Sequence, residues 1–238
     1  MKKVTVVIIF FSLFIVFKSA SGQIGGVTKE TEIQILAGPS ISFLRGNLEV
    51  DNNFENERKP KYGYSIGIGF NRRLIKDFSL SYGLIFEKKG GVSHSVTTYF
   101  DQVYQSLKQG TIEYVYNYEY FTIPVQIFHR IGKTNKFSFG IGPYLSYLKR
   151  QIRVRRSLFL PGNISYDDET DANTMFDFGI RASISFRVPI NSTNFLLIQM
   201  SNTLGLLNIR PNLYAGQFMK TNNTSLLIGL IAKRKKHE

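Results

Sequence analysis

The chain has 238 residues, of which 43% are apolar, so it suits one domain or at most two and is too hydrophobic to be mainly disordered. It has no cysteine, which excludes disulfides, thiol catalysis, Cys-ligated zinc and lipoprotein acylation together. With 30 Lys and Arg against 17 Asp and Glu the formal net charge is +13, a balance that suits a polyanionic partner. The three histidines, His94, His129 and His237, are isolated in sequence, and neither a metal nor a cofactor is expected. Aromatic residues make up 14%, with 20 Phe, 13 Tyr and no Trp, a content that fits strands and interfacial belts better than helices.

Residues 1–22 read as a cleaved secretory signal peptide. Lys2 and Lys3 form the basic start, Val4 to Phe17 is an uncharged apolar run of 14 residues, and Ala20 and Gly22 are the small residues before a cut at Gln23. That run is shorter than the roughly 20 residues a membrane-spanning helix needs. Removing Lys2, Lys3 and Lys18 leaves 30 − 3 = 27 bases against 17 acids, or +10 for the mature chain. Export argues against nucleic acid and favours phosphate-rich lipid headgroups or polyanionic glycans. No other segment resembles a transmembrane helix, so a membrane location requires a closed barrel.

After a short periplasmic segment, 23–31, alternation of large apolar with small residues begins at once. The first strand spans about Glu32 to Phe43, with Ile33, Ile35, Ala37, Ile41 and Phe43 in one phase and Gln34, Gly38, Ser40 and Ser42 in the other. The second sets Tyr62, Tyr64, Ile66, Ile68 and Phe70 against Gly63, Ser65, Gly67, Gly69 and Asn71; the third sets Phe78, Leu80, Tyr82, Leu84 and Phe86 against Ser79, Ser81, Gly83, Ile85 and Glu87. Period two over such lengths is a strand signal. The segment 88–113 follows, where Phe100, Val103, Tyr104 and Leu107 have the spacing of a short amphipathic helix.

Phe121, Ile123, Val125 and Ile127, then Phe137, Phe139, Ile141, Leu145 and Tyr147, define a fourth and a fifth strand about the turn containing Gly132 and Asn135. Tyr114, Tyr116, Tyr118 and Tyr120 extend the fourth upstream and are the expected interfacial aromatic belt, with a core-facing row as the alternative. The sixth strand carries Phe176, Phe178, Ile180, Ala182, Ile184, Phe186 and Val188 in one phase. The seventh is mixed, with Leu196, Ile198, Met200 and Leu204 assigned outward, and the eighth carries Leu226, Ile228, Leu230 and Ala232. Gly and Ser on the second face suit the crowded inside of a narrow barrel, leaving the large face to lipid.

The connections alternate long and short, with long segments at 45–61, 88–113, 149–174 and 207–222. That pattern belongs to an eight-stranded antiparallel up-and-down transmembrane β-barrel, residues 32–232, with tight periplasmic turns, followed by a basic periplasmic tail, 233–238. The fold class is all-β, and a porin is disfavoured because eight strands leave a lumen that side chains fill. Glu87, Arg130, Asp177, Arg181 and Arg187 fall in the inward phase together with Gln126, so an interior salt-bridge network is expected, since an unpaired charge there is costly. In the third long segment Lys149, Arg150, Arg153, Arg155 and Arg156 form a candidate binding patch for lipopolysaccharide phosphates or a partner's acids. Internal pairing with Asp167, Asp168, Glu169 and Asp171 competes with that reading. No catalytic residues are assigned: Ser93, His94 and Ser95 alternate along an extended chain and do not make a triad.

The segments YFTIPVQIFHRIG, FSFGIGPYLSY and NFLLIQMSNTLGLLNI resemble the PorT-like outer-membrane β-barrel family of Bacteroidetes-type bacteria, over about residues 30–232. The resemblance implies an eight-stranded barrel in the cell outer membrane, mostly without an assigned activity, whose name-giving member is tied to protein secretion. A non-enzymatic scaffold or accessory in secretion or envelope integrity is the leading expectation, as a monomer among lipopolysaccharide and other envelope proteins. A ligand-binding or adhesive barrel and a lipid-modifying enzyme are the alternatives. One departure is that the last strand runs into KRKKHE, where such barrels usually end in an aromatic residue.

Overall fold

A computed structural model of the chain describes residues 31–47, 58–75, 77–101, 104–132, 136–159, 162–211 and 218–233. The expected signal peptide at 1–22, the segment 23–30 and the tail at 234–238 lie outside them. Eight long strands form one closed ring: β1 Thr31–Asn47, β2 Lys61–Ile75, β3 Phe78–Asp101, β4 Ser106–Ile131, β5 Phe137–Ser157, β6 Phe176–Pro189, β7 Asn194–Gly205 and β8 Phe218–Lys233. Each pairs antiparallel with its sequence neighbours, and β8 returns to β1, with Glu32 opposite Lys233 and Asn47 opposite Phe218. Closure leaves no open sheet edge within the lipid-facing zone, as a membrane-spanning sheet requires.

The alternation sets the two faces. Ile35 on β1, Ile66 on β2, Ile141 on β5, Ile184 on β6, Met200 on β7 and Leu230 on β8 are all more than half exposed on the outside. Leu197, Gln199, Ser201 and Thr203 are buried, which confirms Leu196, Ile198, Met200 and Leu204 as the outward phase of β7. Inside, glycines make room for larger neighbours. A Cβ on Gly140 would lie 2.6 Å from the ring of Phe128, its register partner, which points into the barrel and is 6% exposed.

Two aromatic girdles bound the apolar band. Near the loop end, Tyr64 meets Phe86 at 6.1 Å, Phe86 meets Phe121 at 5.6 Å and Tyr147 meets Phe176 at 5.6 Å. Near the turn end, Phe70 meets Tyr82 at 5.7 Å, Phe78 meets His129 at 4.7 Å and Phe137 meets Phe186 at 4.6 Å. The Tyr114–Tyr120 row is therefore not the belt. Tyr118 and Tyr120 are fully buried inside with Leu148, Ile209 and Met219, and Tyr116 packs on them.

The long segments depart further from expectation. Residues 88–101 and 106–113 are not a loop with a helix but the upper half of the β3–β4 hairpin, paired from Lys88–Glu119 to Asp101–Ser106. Residues Phe100 and Leu107 are register partners in the hairpin, so their helical spacing is incidental; Val103 lies outside the described residues. The segment 149–174 begins as the continuation of β5 and adds a short strand, Ile164–Asp168, on its outer edge, then a single 3-10 turn at Thr170–Ala172. A second short strand, Arg58–Lys59, pairs with Val92 and Ser93. Strand β8 starts at Phe218, well before Ser225. A wall of strands thus stands above the loop-side girdle.

Placing a charge on the lipid face at mid-height gives a direct check of this orientation. Ile141→Arg is expected to lower the unfolding free energy of the barrel in lipid vesicles by about 2–4 kcal/mol. An unchanged urea midpoint would contradict the outward placement.

Candidate functional site

The lumen is filled from end to end. At the turn end Glu32 accepts from Arg187 Nη1 at 2.8 Å and from Asn71 Nδ2 at 3.1 Å, with Arg130 Nη2 at 3.9 Å. Leu36, Leu197, Leu227 and Ile231 then form an apolar plug, followed by a layer in which Gln126 Nε2 donates to Ser183 Oγ at 3.0 Å and Ser183 Oγ donates to Ser201 Oγ at 3.1 Å. The space bounded by Gln34, Ser81, Gln126 and Gln199 has a volume of about 20 Å³, room for about one water.

The next layer holds the charges. Arg181 Nη1 donates to Glu87 Oε1 at 3.2 Å, and Thr122 Oγ1 donates to Glu87 Oε2 at 2.9 Å. Lys89 Nζ lies 3.4 Å from Asp177 Oδ2 and 3.9 Å from Glu87 Oε2, and 4.4 Å from the centre of the Tyr120 ring. Asp177 Oδ2 also accepts from Thr221 Oγ1 at 2.6 Å and from the Tyr144 hydroxyl at 3.3 Å. Two acids and two bases, all within 1% of full burial, form a neutral cluster. Pairing is what makes such burial tolerable, because several kcal/mol of desolvation per ion are offset only by good geometry and further hydrogen bonds.

Of the interior residues expected from sequence, Glu87, Asp177 and Arg181 meet in this layer, while Arg130 and Arg187 meet at the turn end around Glu32. Lys89 and Glu32 complete the two clusters and were not anticipated. Both sit in the inward parity, Lys89 two residues beyond Glu87 and Glu32 two before Gln34, so continuing the count along each strand finds them.

Above the charges, the mouth is closed by residues 169–175 and 205–211. Thr174 N donates to Ile209 O and Ile209 N to Met219 O, both at 2.8 Å. Asn173 Nδ2 bridges Gln151 Oε1 at 2.9 Å and Glu169 O at 2.7 Å, and Asn208 Oδ1 receives Met219 N at 2.9 Å. Ile209 is thereby fully buried over Tyr118 and Tyr120.

The basic run on β5 is largely neutralised within the wall. Arg150 Nε meets Asp168 Oδ2 at 3.3 Å, Arg153 meets Asp167 at 3.2 Å and Glu169 at 2.7 Å, and Arg156 meets Glu113 at 3.3 Å. Lys149 meets Glu119 at 3.5 Å, and Arg210 makes a second contact to Glu169 at 3.3 Å. Exposed Arg155 makes no ion pair among the described residues, and Asp171 likewise makes none. Ser93 faces Tyr114 across strands while His94 faces Glu113, with Nε2 at 3.5 Å from its carboxylate, so the serines and the histidine lie on opposite faces. His129 lies on the outside by the turn-end girdle.

Closed ring, twin girdles and filled lumen agree with the sequence comparison. The family described as "Outer membrane protein beta-barrel domain" matches residues 20–210. The chain belongs to this family. The barrel resides in the outer membrane and contacts its lipids. Similar solved structures include Ail, the attachment invasion locus protein of Yersinia pestis, in complex with the heparin analogue sucrose octasulfate (11% identity, 86% of this chain and 99% of that one, TM-score 0.36). OprG from Pseudomonas aeruginosa (10%, 87% and 98%, 0.39) and the outer membrane protease OmpT from Escherichia coli (8%, 88% and 99%, 0.40) are others. No curated protein sequence matches the chain.

Two measurements test the barrel's polar chemistry. Glu87→Gln strands Arg181 and is expected to destabilise the refolded barrel by about 3–5 kcal/mol, whereas Glu87→Leu combined with Arg181→Met is expected to be far closer to neutral. Equal losses in the two variants would deny the pair its role. In the wall, Asp168 is held below the usual carboxylate range by the Thr170 hydroxyl at 2.6 Å, then by its backbone N–H at 3.1 Å and by Arg150. A depressed folded-state pKa means that the contact's stabilisation is complete above the ordinary value of about 3.9 and is lost as pH falls through the lower folded value. Carboxyl NMR should show the Asp168 midpoint moving upward in Thr170→Val.

Proposed function

We propose that the protein is a PorT-like, non-enzymatic barrel of Bacteroidetes-type bacteria that serves as a scaffold or accessory in protein secretion or envelope integrity. The observation that carries the reading is the combination of a plugged lumen with an ion-paired β-wall above the outer girdle. A lumen closed by buried ion pairs and by Ile209 offers no route for solutes, so the working surface is external. The wall is stiffened by ladders on β3, β4, β5 and the strand Ile164–Asp168, which is how a docking platform is held in one shape. Its outer face exposes Tyr166 at 71% and Ile164 at 49%, and its other face exposes Arg155, which makes no ion pair among the described residues. Residues of this kind make protein contacts, which also keeps an adhesive or ligand-binding barrel as a second reading.

Deleting residues 92–112 tests both readings while leaving the membrane part intact. The expected result is a barrel that keeps its heat-modifiable mobility but loses envelope-protein crosslinks formed from a photoreactive residue at Tyr166, together with the secretion or envelope phenotype of a deletion strain. Loss of binding to host surfaces with crosslinks retained would favour the adhesive reading. Stable ohmic conductance of nanometre-pore size in planar bilayers, or altered lipid A in the deletion strain, would overturn the scaffold assignment.

A further inference from the structure

The wall above the outer girdle ends on one side in the strand Ile164–Asp168. Among the described residues this strand pairs with β5 alone, and none of its residues is buried. Bonds just beyond its two ends fix its hydrogen-bonding phase: Glu169 N donates to Gln151 O at 3.1 Å, and Ser157 N donates to Asn163 O at 3.2 Å. Residues 163, 165, 167 and 169 therefore turn their backbone groups to β5, and the alternate residues turn theirs to the far edge. Ile164 N is taken locally by Gly162 O at 3.1 Å. The groups presented on the far edge are then Ile164 O, Tyr166 N, Tyr166 O and Asp168 N.

Natural sheets guard such an edge with Pro, Lys, inward charge or a covering element. The sequence Ile-Ser-Tyr-Asp-Asp has neither Pro nor Lys, and its acids are engaged sideways: Asp168 with Arg150 at 3.3 Å and Asp167 with Arg153 at 3.2 Å. Those pairs hold the strand on β5 and leave its far edge as a preformed template. The side chains select what fits it. On the outer face Ile164 and Tyr166, two residues apart, are both exposed and apolar in body. On the inner face Ser165 stands opposite exposed Arg155, which makes no ion pair among the described residues. Serine is too short to cover an arginine, so the guanidinium can extend over Ser165 to the next strand position.

We infer that this edge takes up an extended segment of a partner polypeptide as an added antiparallel strand. The segment carries an apolar residue opposite Tyr166, an acidic one opposite Ser165 and a second apolar one opposite Ile164. Its main chain completes the ladder at Ile164 O, Tyr166 N, Tyr166 O and Asp168 N, while the apolar pair and the acid facing Arg155 supply selectivity. So short an edge forms few ladder bonds, which makes the contact reversible. The inference rests on the reading of the wall as a docking platform and names what docks there.

The synthetic peptide acetyl-TKTVEVT-amide is the probe, its first Val set to pair with Tyr166, its Glu with Ser165 and its Lys with Asp168. Added at millimolar concentration to the full isotope-labelled barrel in nanodiscs, it is expected to shift the amide protons of Tyr166 and Asp168 downfield and protect them from exchange. Those of Ser165 and Asp167, already turned to β5, should stay as they are. Tyr166→Pro removes an outward N–H and no bond to β5, so heat-modifiable mobility should persist. It should weaken peptide binding about tenfold relative to Tyr166→Thr, which also lacks the ring but keeps the N–H. On the natural barrel, methylating the amide of the first Val, which faces Tyr166 O, should cost as much, and methylating the Glu amide, which faces away, far less. Arg155→Gln should weaken the Glu peptide severalfold and its Gln counterpart hardly at all. Unshifted Tyr166 and Asp168 amides, equal binding to the Pro and Thr variants, or indifference to which amide is methylated would each overturn the proposal. The peptide assay reads the edge and the deletion strain reads the secretion or envelope role, so the two fail separately.

Discussion

The constraint on which the structure depends is closure of a narrow ring in a medium without water. Lipid provides no hydrogen-bond partners, so each backbone N–H and C=O along the spanning strands must be paired by a neighbouring strand, and only a closed sheet achieves this for all of them. Eight strands close around a space that side chains fill. The inside must then be small enough to fit, and its buried charges must be paired. Gly140 yielding to Phe128, the hydroxyl layers and the neutral cluster of Glu87, Lys89, Asp177 and Arg181 are all answers to that one demand.

The same closure explains why the interior carries so little freedom for function. A charge layer sandwiched between an apolar plug and the Tyr118–Ile209 cap is sealed on both sides. What varies without breaking the ring is what extends beyond it, and here β3, β4 and β5 continue upward as sheet. Their ladders carry Arg–carboxylate pairs in place of lipid-facing aliphatics. The exposed pairs there contribute little individually, but Glu169 held by both Arg153 and Arg210 ties the wall to the cap over the mouth.

Much of this was legible from the residues. Period two assigned the lipid face of the eight strands, including the mixed β7, because one face is bulky and the other is mostly small or polar, with Leu36, Leu197, Leu227 and Ile231 among the large inward exceptions. The interior charges on β3 and β6 followed by parity. What escaped notice lay where the contrast fades: beyond Glu87 both faces turn polar, so the strand looked finished and Lys89 was lost with it. The Tyr114–Tyr120 row is ambiguous by nature, since a tyrosine suits both an interface and a polar-tipped core, and only the neighbours contributed by residues 205–219 decide it. The cap itself has no periodicity, and its hydrogen bonds through Asn173 and Asn208 have no local signature.

The seam between β1 and β8 has a bearing on how the molecule is made. The two strands whose pairing seals the ring are separated by nearly the whole described chain, so no nascent or partly exported intermediate can be a smaller version of the finished object. Until β8 arrives, the sheet has two raw edges and a hydrophobic outer surface, the state most prone to pairing with the wrong neighbour. For this protein, maturation and protection from aggregation are therefore a single event, the meeting of its first and last strands.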